Sequence, residues 1–304
     1  MKIAHILVTG GEGQLGRALS CAAWPDGMQV HAVSRSECDV CRLENVSRLL
    51  GERPWTAVIN AAAFTDVEKA EDAPAQAFQV NALGAAVLAQ ATRAAAVPLI
   101  HVSTDFVFGG SGPHDETART QPVNVYGASK RAGELAVLAA ASDAVVVRTA
   151  WLFDAEGRNF VTRILDRAGD EQLDIVSDEV GSPTGAADLA QGLLRLVAVR
   201  LQTGGFSEAS VLHFANEGSA SRHELAQAVF DAWAGDAGTA TPRLRAVSAA
   251  AFAAKARRPS DSRLSCEVFA RVAGYRPRHW REAVQEVVDQ IKAARAGRVE
   301  RPDQ

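Results

Sequence analysis

The stretch "VTGGEGQLG", Val8 to Gly16, decides the fold of this 304-residue chain. The apolar run "IAHILVTG" leads into it, and the helix-like "QLGRALSCAAW" leads out. Gly10, Gly13 and Gly16 recur at three-residue spacing across the junction. Glycine permits a tight turn and removes the Cβ that would bar a phosphate. The helix that follows offers free N–H groups and a partial positive charge to a pyrophosphate. At the first strand-to-helix turn of a βαβ pattern, this spacing reads as a dinucleotide site. Without that setting, the three glycines would serve only turn geometry and helix packing.

The rest of the first half supplies the setting. The apolar, β-rich runs "QVHAVS", "TAVINAAA", "PLIHVSTDFVF" and "AVVVRTAW" are separated by helix-like segments such as "APAQAFQVNALGAAVLAQATRAAA". Strands that are apolar throughout suit a sheet covered on both faces. Strand–helix alternation predicts right-handed crossovers. The expected fold is α/β: a doubly wound parallel Rossmann sheet with a smaller, interlocked α/β substrate lobe. After about residue 150 the rhythm loosens into "GSPTGAADLAQGLLRLVAVRL", "VLHFAN", "SRHELAQAVFDAWAG" and "HWREAVQEVVDQIKAA". Ser221 with Glu224 three residues on reads as a capping box. Residues 1–150, with about 186–215, are assigned to the NAD(P)-binding domain, and about 151–185 with 216–304 to the substrate lobe. The cleft between them is the expected ligand site.

Hydrophobic content of 47% and charged content of 22% are ordinary for a soluble globular protein. The formal net charge of −4 excludes a basic field of the kind that nucleic acid requires. The basic "KAARAGRVER" near the C-terminus reads as a solvated helix end and tail. No apolar run approaches the roughly 18 to 20 residues of a membrane span. "MKIAHILVTGG" is too short in its apolar part for a signal peptide and reads as a buried first strand, so a cytoplasmic protein without a membrane partner is expected. Four cysteines in a chain this long do not make a disulfide framework. Cys38 and Cys41 form a C-x-x-C, but no second pair completes a tetrahedral set, so no metal is expected.

Cofactor choice is read at the end of the second strand, where Ser34 and Arg35 stand. Without a carboxylate at that point, an arginine can take a 2′-phosphate. NADPH is expected, with NADH left open.

"NVYGASKRAGE" places Tyr126 four residues before Lys130. On a helix that spacing shares a face. A cation about 5 Å from a phenol, at an effective dielectric near 20, would favour phenolate by roughly 3 kcal/mol. That would bring a tyrosine toward the range of general acid catalysis. "HVSTDFVF" adds hydroxyls at Ser103 and Thr104, at the carboxyl end of an expected strand, where doubly wound sheets bind ligands. Taken alone, the pair reads more simply as a packed aromatic and a solvated lysine.

With these motifs the chain resembles the extended short-chain dehydrogenase/reductase superfamily and, within it, the dTDP-4-dehydrorhamnose reductase family. The runs that carry the likeness are "GGEGQLGRAL", "VINAAAFTDVEKAE", "VSTDFVF", "NVYGASKRAGE", "VVRTAWLF", "NFV", "DEVGSPTGAADLA" and "RRPSDSRL". The resemblance implies reduction of dTDP-4-dehydro-L-rhamnose to dTDP-L-rhamnose, the last step of dTDP-rhamnose synthesis. It implies Tyr126 as proton donor, Lys130 on the nicotinamide ribose and Thr104 on the sugar keto group. Gly13, Gln14, Leu15, Asp39, Val40, Ala61, Ala62, Ala63 and Val102 would line the dinucleotide, which gives the residues between the two cysteines an adenine-side role. Thr104, Asp105 and Trp151 would meet the nucleotide-sugar. Phe64, Lys69, Asn159, Arg258 and Arg263 are further candidates near it, the arginines for its diphosphate.

The chain departs from the family's usual pattern at Ser34, at Phe106 and Gly109, at Glu68 and at Ala18. The last removes a glutamate implicated in a metal-bridged dimer, and a monomer or homodimer is expected without metal. Nucleotide-sugar epimerases and dehydratases are the nearest enzymatic alternative. Dehydratases need a T-D-E where this chain has Thr104-Asp105-Phe106. A non-catalytic regulatory subunit, of the kind represented by the methionine adenosyltransferase beta subunit, also resembles this family, and fold does not fix function.

Overall fold

The computed structural model describes residues 3–141, 143–206, 209–235 and 240–299. Strand β1 (Ala4–Thr9) turns through the glycine loop into helix α1 (Gln14–Cys21). β2 (Met28–Val33), α2 (Leu43–Gly51) and β3 (Trp55–Asn60) follow. The next crossover holds α3 (Val67–Asp72), α4 (Pro74–Phe78), a π-helical turn (Gln79–Gly84) and α5 (Ala85–Ala94). β4 (Leu99–Thr104), α6 (Val125–Ala140) and β5 (Ala144–Thr149) complete the first half, and Val211–His213 adds a sixth strand. The sheet runs Val211–His213, β5, β4, β3, β1, β2, with every pair parallel. The chain leaves β1 for β2 at one edge, then crosses back to β3 on the other side of β1. The switch point therefore lies between β1 and β3, where a crevice opens at the carboxyl ends.

Period-two alternation explains why the strands are apolar throughout. Ile6, Val8, Ile59, Ile100 and Val147 enter one core, beneath α1 and the helix Ala186–Thr203. Leu7, Val58, Leu99 and Val146 enter another, beneath α2, α5 and α6. A third core gathers Phe153, Val161, Leu173, Leu225, Trp280 and Val284 in the smaller lobe. There the strands Gln172–Val176 and Arg243–Val247 pair in parallel, covered by the helices Arg222–Ala234 and Trp280–Val299. Phe269 and Ala273 join the sheet core although they lie within the segment expected to belong wholly to the lobe. Their helix, Glu267–Ala273, has the sheet's flank as its nearest apolar surface.

The capping box at Ser221 and Glu224 forms as read, with both reciprocal hydrogen bonds present. The run "STDFVF" does not continue as strand. β4 stops at Thr104, whose hydroxyl accepts from the Phe106 N–H and turns Asp105–Val107 into a 3₁₀ turn. Among the described residues no helix is long and apolar enough to cross a membrane. The end of the basic "KAARAGRVER" stretch, residues 300–301, lies outside the described residues.

Candidate active site

A cleft of about 560 Å³ opens at the carboxyl ends of β1, β3, β4 and β5. Its floor is the glycine loop, where the three glycines divide the work. Gly10 has φ +74°, and a Cβ there would stand 2.7 Å from the Ala62 nitrogen. At Gly16 a Cβ would stand 2.3 Å from the Gly10 carbonyl oxygen. Both serve the close approach of the backbone to itself. A Cβ on Gly13 would meet only the Gly10 carbonyl, at 3.3 Å. The open side of Gly13 therefore faces the cleft, and α1 begins there with no side-chain cap and no acidic residue in its first turn. Gly13→Ala is accordingly expected to leave thermal stability nearly intact while weakening dinucleotide affinity about tenfold, near 1.4 kcal/mol. Nicotinamide fluorescence titration checks it.

Near the end of β2 the cleft is lined by Arg35, Asp39 and Val40, and Ala61, Ala62 and Ala63 line it as well. Cys38 and Cys41 are free thiols in the same wall, and burial pushes the pKa of each up, which makes them poor nucleophiles. Among the described residues no cluster of three or more His, Cys, Asp or Glu could hold a metal. Ser34 does not line the cleft. Its N–H and its hydroxyl both donate to the Glu37 carboxylate, each at 2.7 Å. A carboxylate thus does stand near the end of β2, folded back from three residues downstream.

The other end of the cleft is built by β4 and α6. Asn124 caps α6 by accepting from the Gly127 N–H at 2.7 Å, which puts Tyr126 in the first turn and Lys130 one turn on. A Cβ on Gly127 would lie 2.1 Å from the Phe106 carbonyl oxygen, so only glycine lets α6 rest on the turn after β4. That contact brings the Tyr126 ring to 5.8 Å from the Phe106 ring, edge to face. The Thr104 hydroxyl donates to Asp105 Oδ1 at 3.0 Å and is also a hydrogen-bond neighbour of the Tyr126 phenol. Lys130, buried, donates from Nζ to the Val102 carbonyl at 2.7 Å. Thr104, Asp105, Tyr126, Lys130 and Val102 all line one space.

The electrostatics differ from the sequence-based arithmetic. The phenol of Tyr126 is pushed up to about 12, by burial first; the Thr104 hydrogen bond opposes this and the Asp105 charge adds to it. Lys130 Nζ is turned to the Val102 carbonyl. Burial lowers Lys130 itself to about 8, against the favourable charge of Glu134. Burial also raises Asp105 to about 6, with hydrogen bonds from Ser262 and Thr104 opposing. The expected lowering of the tyrosine pKa is therefore not found: burial outweighs the Thr104 hydrogen bond, and Lys130 is turned to the Val102 carbonyl.

On the lobe side, Trp151 has φ +44°, a left-handed conformation that costs a non-glycine residue roughly 1–2 kcal/mol. Gly181 makes room for its indole, since a Cβ there would sit 2.3 Å from Cε2. Sequence reading missed Arg222. Its guanidinium stacks 3.4 Å from the Trp151 ring centroid and lies 5.4 Å from that of Phe160. Burial lowers its pKa to about 10, opposed by Glu179 and Asp105. Asn159 lines the cleft but also caps the helix Phe160–Leu165 in a capping box with Thr162. Phe64 lines the cleft and Lys69 does not. Arg258 and Arg263 stand outside the lining: Arg258 pairs with Glu68 and Arg263 with Asp261, each at 2.7 Å.

Comparison with known proteins gives a consistent result. The family described as "RmlD substrate binding domain" matches residues 4–293. The dTDP-4-dehydrorhamnose reductase of Mycolicibacterium smegmatis is 42% identical over 296 residues, spanning 95% of this chain and 86% of the relative. That of Mycobacterium tuberculosis strain H37Rv is 42% identical over 290 residues, spanning 92% and 91%. Among solved structures, the Bacillus anthracis dTDP-4-dehydrorhamnose reductase in complex with NADP superposes with a TM-score of 0.86 at 31% identity, covering 95% of this chain and 100% of that one.

Proposed function

The chain belongs to the dTDP-4-dehydrorhamnose reductase family, and we propose from this that it reduces dTDP-4-dehydro-L-rhamnose to dTDP-L-rhamnose with NADPH. The observation that carries the proposal is the convergence of Thr104, Tyr126 and Lys130 at one end of a single cleft whose other end is the open face of Gly13. Arg35 in the adenine-side wall supports NADPH over NADH, and the neighbouring Bacillus anthracis enzyme was crystallised with NADP.

NADPH, when bound, would supply the hydride that reduces C4 of the sugar. The Thr104 hydroxyl holds the C4 oxygen, exchanging its bond to Asp105 for one to substrate. Tyr126 gives its proton to that oxygen as negative charge develops. A phenol pushed up to about 12 carries its proton across the neutral range, but burial also makes it a weaker acid than a phenol near 10. Lys130 supplies a buried cation for the cofactor's ribose hydroxyls. Trp151 and Arg222 form the wall toward the nucleotide-sugar. The separate apolar cores support a division into a dinucleotide-binding domain and a substrate lobe, with Phe269 and Ala273 on the sheet's side of it.

The test is nicotinamide absorbance at saturating dTDP-4-dehydro-L-rhamnose generated in situ. Substrate-dependent oxidation is expected, with a lower KM for NADPH than for NADH. Tight dinucleotide binding without oxidation would overturn the proposal in favour of another nucleotide-sugar or a regulatory role.

A further inference from the structure

A loop of the smaller lobe reaches across to the glycine loop. Residues 154–158 lie between the strand Leu152–Phe153 and the helix Phe160–Leu165. Asn159, buried, holds the loop from inside by donating from Nδ2 to the carbonyls of Asp154 at 2.8 Å and Glu156 at 3.3 Å. The Glu156 carboxylate stands 3.5 Å from Arg17 Nε in the first turn of α1, and Arg17 in turn donates to the Glu12 carbonyl of the glycine loop. Gly157, at φ +74°, lies flat against this contact: a Cβ there would be 2.9 Å from Arg17 Nη2 and 3.8 Å from Gln14 Cγ. A Cβ at 157 would displace only the tip of the Arg17 side chain, but the positive φ itself favours glycine where the strap turns.

Seated in this way, the strap delivers Arg158 into the wall shared with Gly13, Gln14 and Leu15. Arg158 is exposed and, among the described residues, has no hydrogen-bond, ion-pair or ring partner. Glu156, the carboxylate two residues away, is largely exposed and stands 3.5 Å from Arg17, with no ion pair to Arg158. Glu12 also lines this mouth and makes no ion pair with Arg158. An unpaired guanidinium beside an uncapped helix start and a bare glycine is suited to a diphosphate, which accepts two parallel N–H bonds from one arginine.

We propose that Arg158 binds the diphosphate of the dinucleotide, carried to it by the Asp154–Arg158 strap, so that the substrate lobe completes the cofactor site. This rests on the dinucleotide reading of the cleft. The diphosphate of a nucleotide-sugar shares the chemistry, but the nucleotide-sugar wall is at Trp151 and Arg222, whereas Gly157 touches α1 at Gln14 and Arg17.

The test titrates NADPH and NADH without sugar, by nicotinamide fluorescence, into the wild-type protein, Arg158→Ala, Arg158→Lys and Arg35→Ala. The affinity for dTDP is measured in parallel by calorimetry. Arg158→Ala is expected to weaken NADPH and NADH by the same factor, about tenfold, because both carry the diphosphate. The lysine variant should recover part of the loss, having charge without the bidentate fork. Arg35→Ala should weaken NADPH alone, and dTDP affinity should not move in Arg158→Ala. Unchanged affinity for both dinucleotides in Arg158→Ala would overturn the proposal, as would a loss confined to dTDP. A wild-type protein that binds neither dinucleotide would instead sink the reading on which it rests.

Discussion

Tyr126→Phe lowers kcat by between about 10²- and 10⁴-fold, the range that a positioned proton donor supplies, while dinucleotide affinity stays close to that of the wild type. The substitution removes one oxygen and little else. The ring keeps its edge-to-face packing on Phe106, and Thr104 keeps its bonds to Asp105 and the Phe106 N–H. Pre-steady-state and steady-state reduction of dTDP-4-dehydro-L-rhamnose measures the loss, and near-normal turnover would refute the assignment. The pH profile separates Tyr126 from Lys130. With the phenol pushed up to about 12 and Lys130 lowered to about 8, the first charge lost from the free enzyme on the alkaline side is the lysine's. The cationic lysine is present below its folded pKa, so kcat/KM should fall as pH rises through about 8. A profile that stays flat to pH 10 would mean that Lys130 does not act through its charge.

Much of this site could be read in the sequence because it depends on local rules. Gly10, Gly13 and Gly16 announce a strand–turn–helix junction, since a positive φ and close backbone approaches leave little alternative to glycine. Apolar strands separated by helices announce a two-faced sheet. The four-residue spacing of Tyr126 and Lys130 sets their shared face. What the sequence left hidden depends on contacts between distant segments. Arg222 lies inside a capping box that accounts for Ser221 and Glu224 by itself, and its stacking on Trp151 requires a left-handed backbone and Gly181 from elsewhere in the chain. Arg258 and Arg263 look like free cations for a diphosphate until Glu68 and Asp261 are seen to pair with them. The tyrosine was expected to be acidified because a Coulomb estimate at fixed distance omits desolvation and the direction in which Lys130 points. Ser34 was read without Glu37, because the turn that folds that carboxylate back is invisible in a strand-end pattern.

Arg148→Met destabilises the fold by about 3–5 kcal/mol, the cost of leaving a buried charge without its partner. Arg148 stands on β5, 2% exposed, and Glu134 on α6 is fully buried. The guanidinium grips that carboxylate twice, Nε to Oε1 at 2.9 Å and Nη2 to Oε2 at 2.8 Å. Arg131 adds a third bond to Oε2 at 2.8 Å, but from a more exposed side chain that cannot replace the fork. Burial alone would raise the Glu134 pKa, yet the hydrogen bonds and charge of Arg148 outweigh it and hold the carboxyl below its ordinary value. A depressed folded pKa contributes stability above the unfolded value, near 4.3, and that contribution is lost as pH falls further. The deficit of Arg148→Met should therefore be largest near pH 7 and should shrink toward pH 4, where Glu134 protonates in the variant and no charge is left unpaired. Urea unfolding at both pH values, with the slope unchanged, reads the difference. The double substitution Glu134→Leu, Arg148→Met should recover most of the loss, because apolar groups of similar volume need no partner. Glu134 also sits one turn beyond Lys130, and its charge raises that lysine's pKa. The recovered double variant should therefore fold yet lose kcat/KM at a lower pH than the wild type, which separates the pair's service to the fold from its effect on the charge of Lys130.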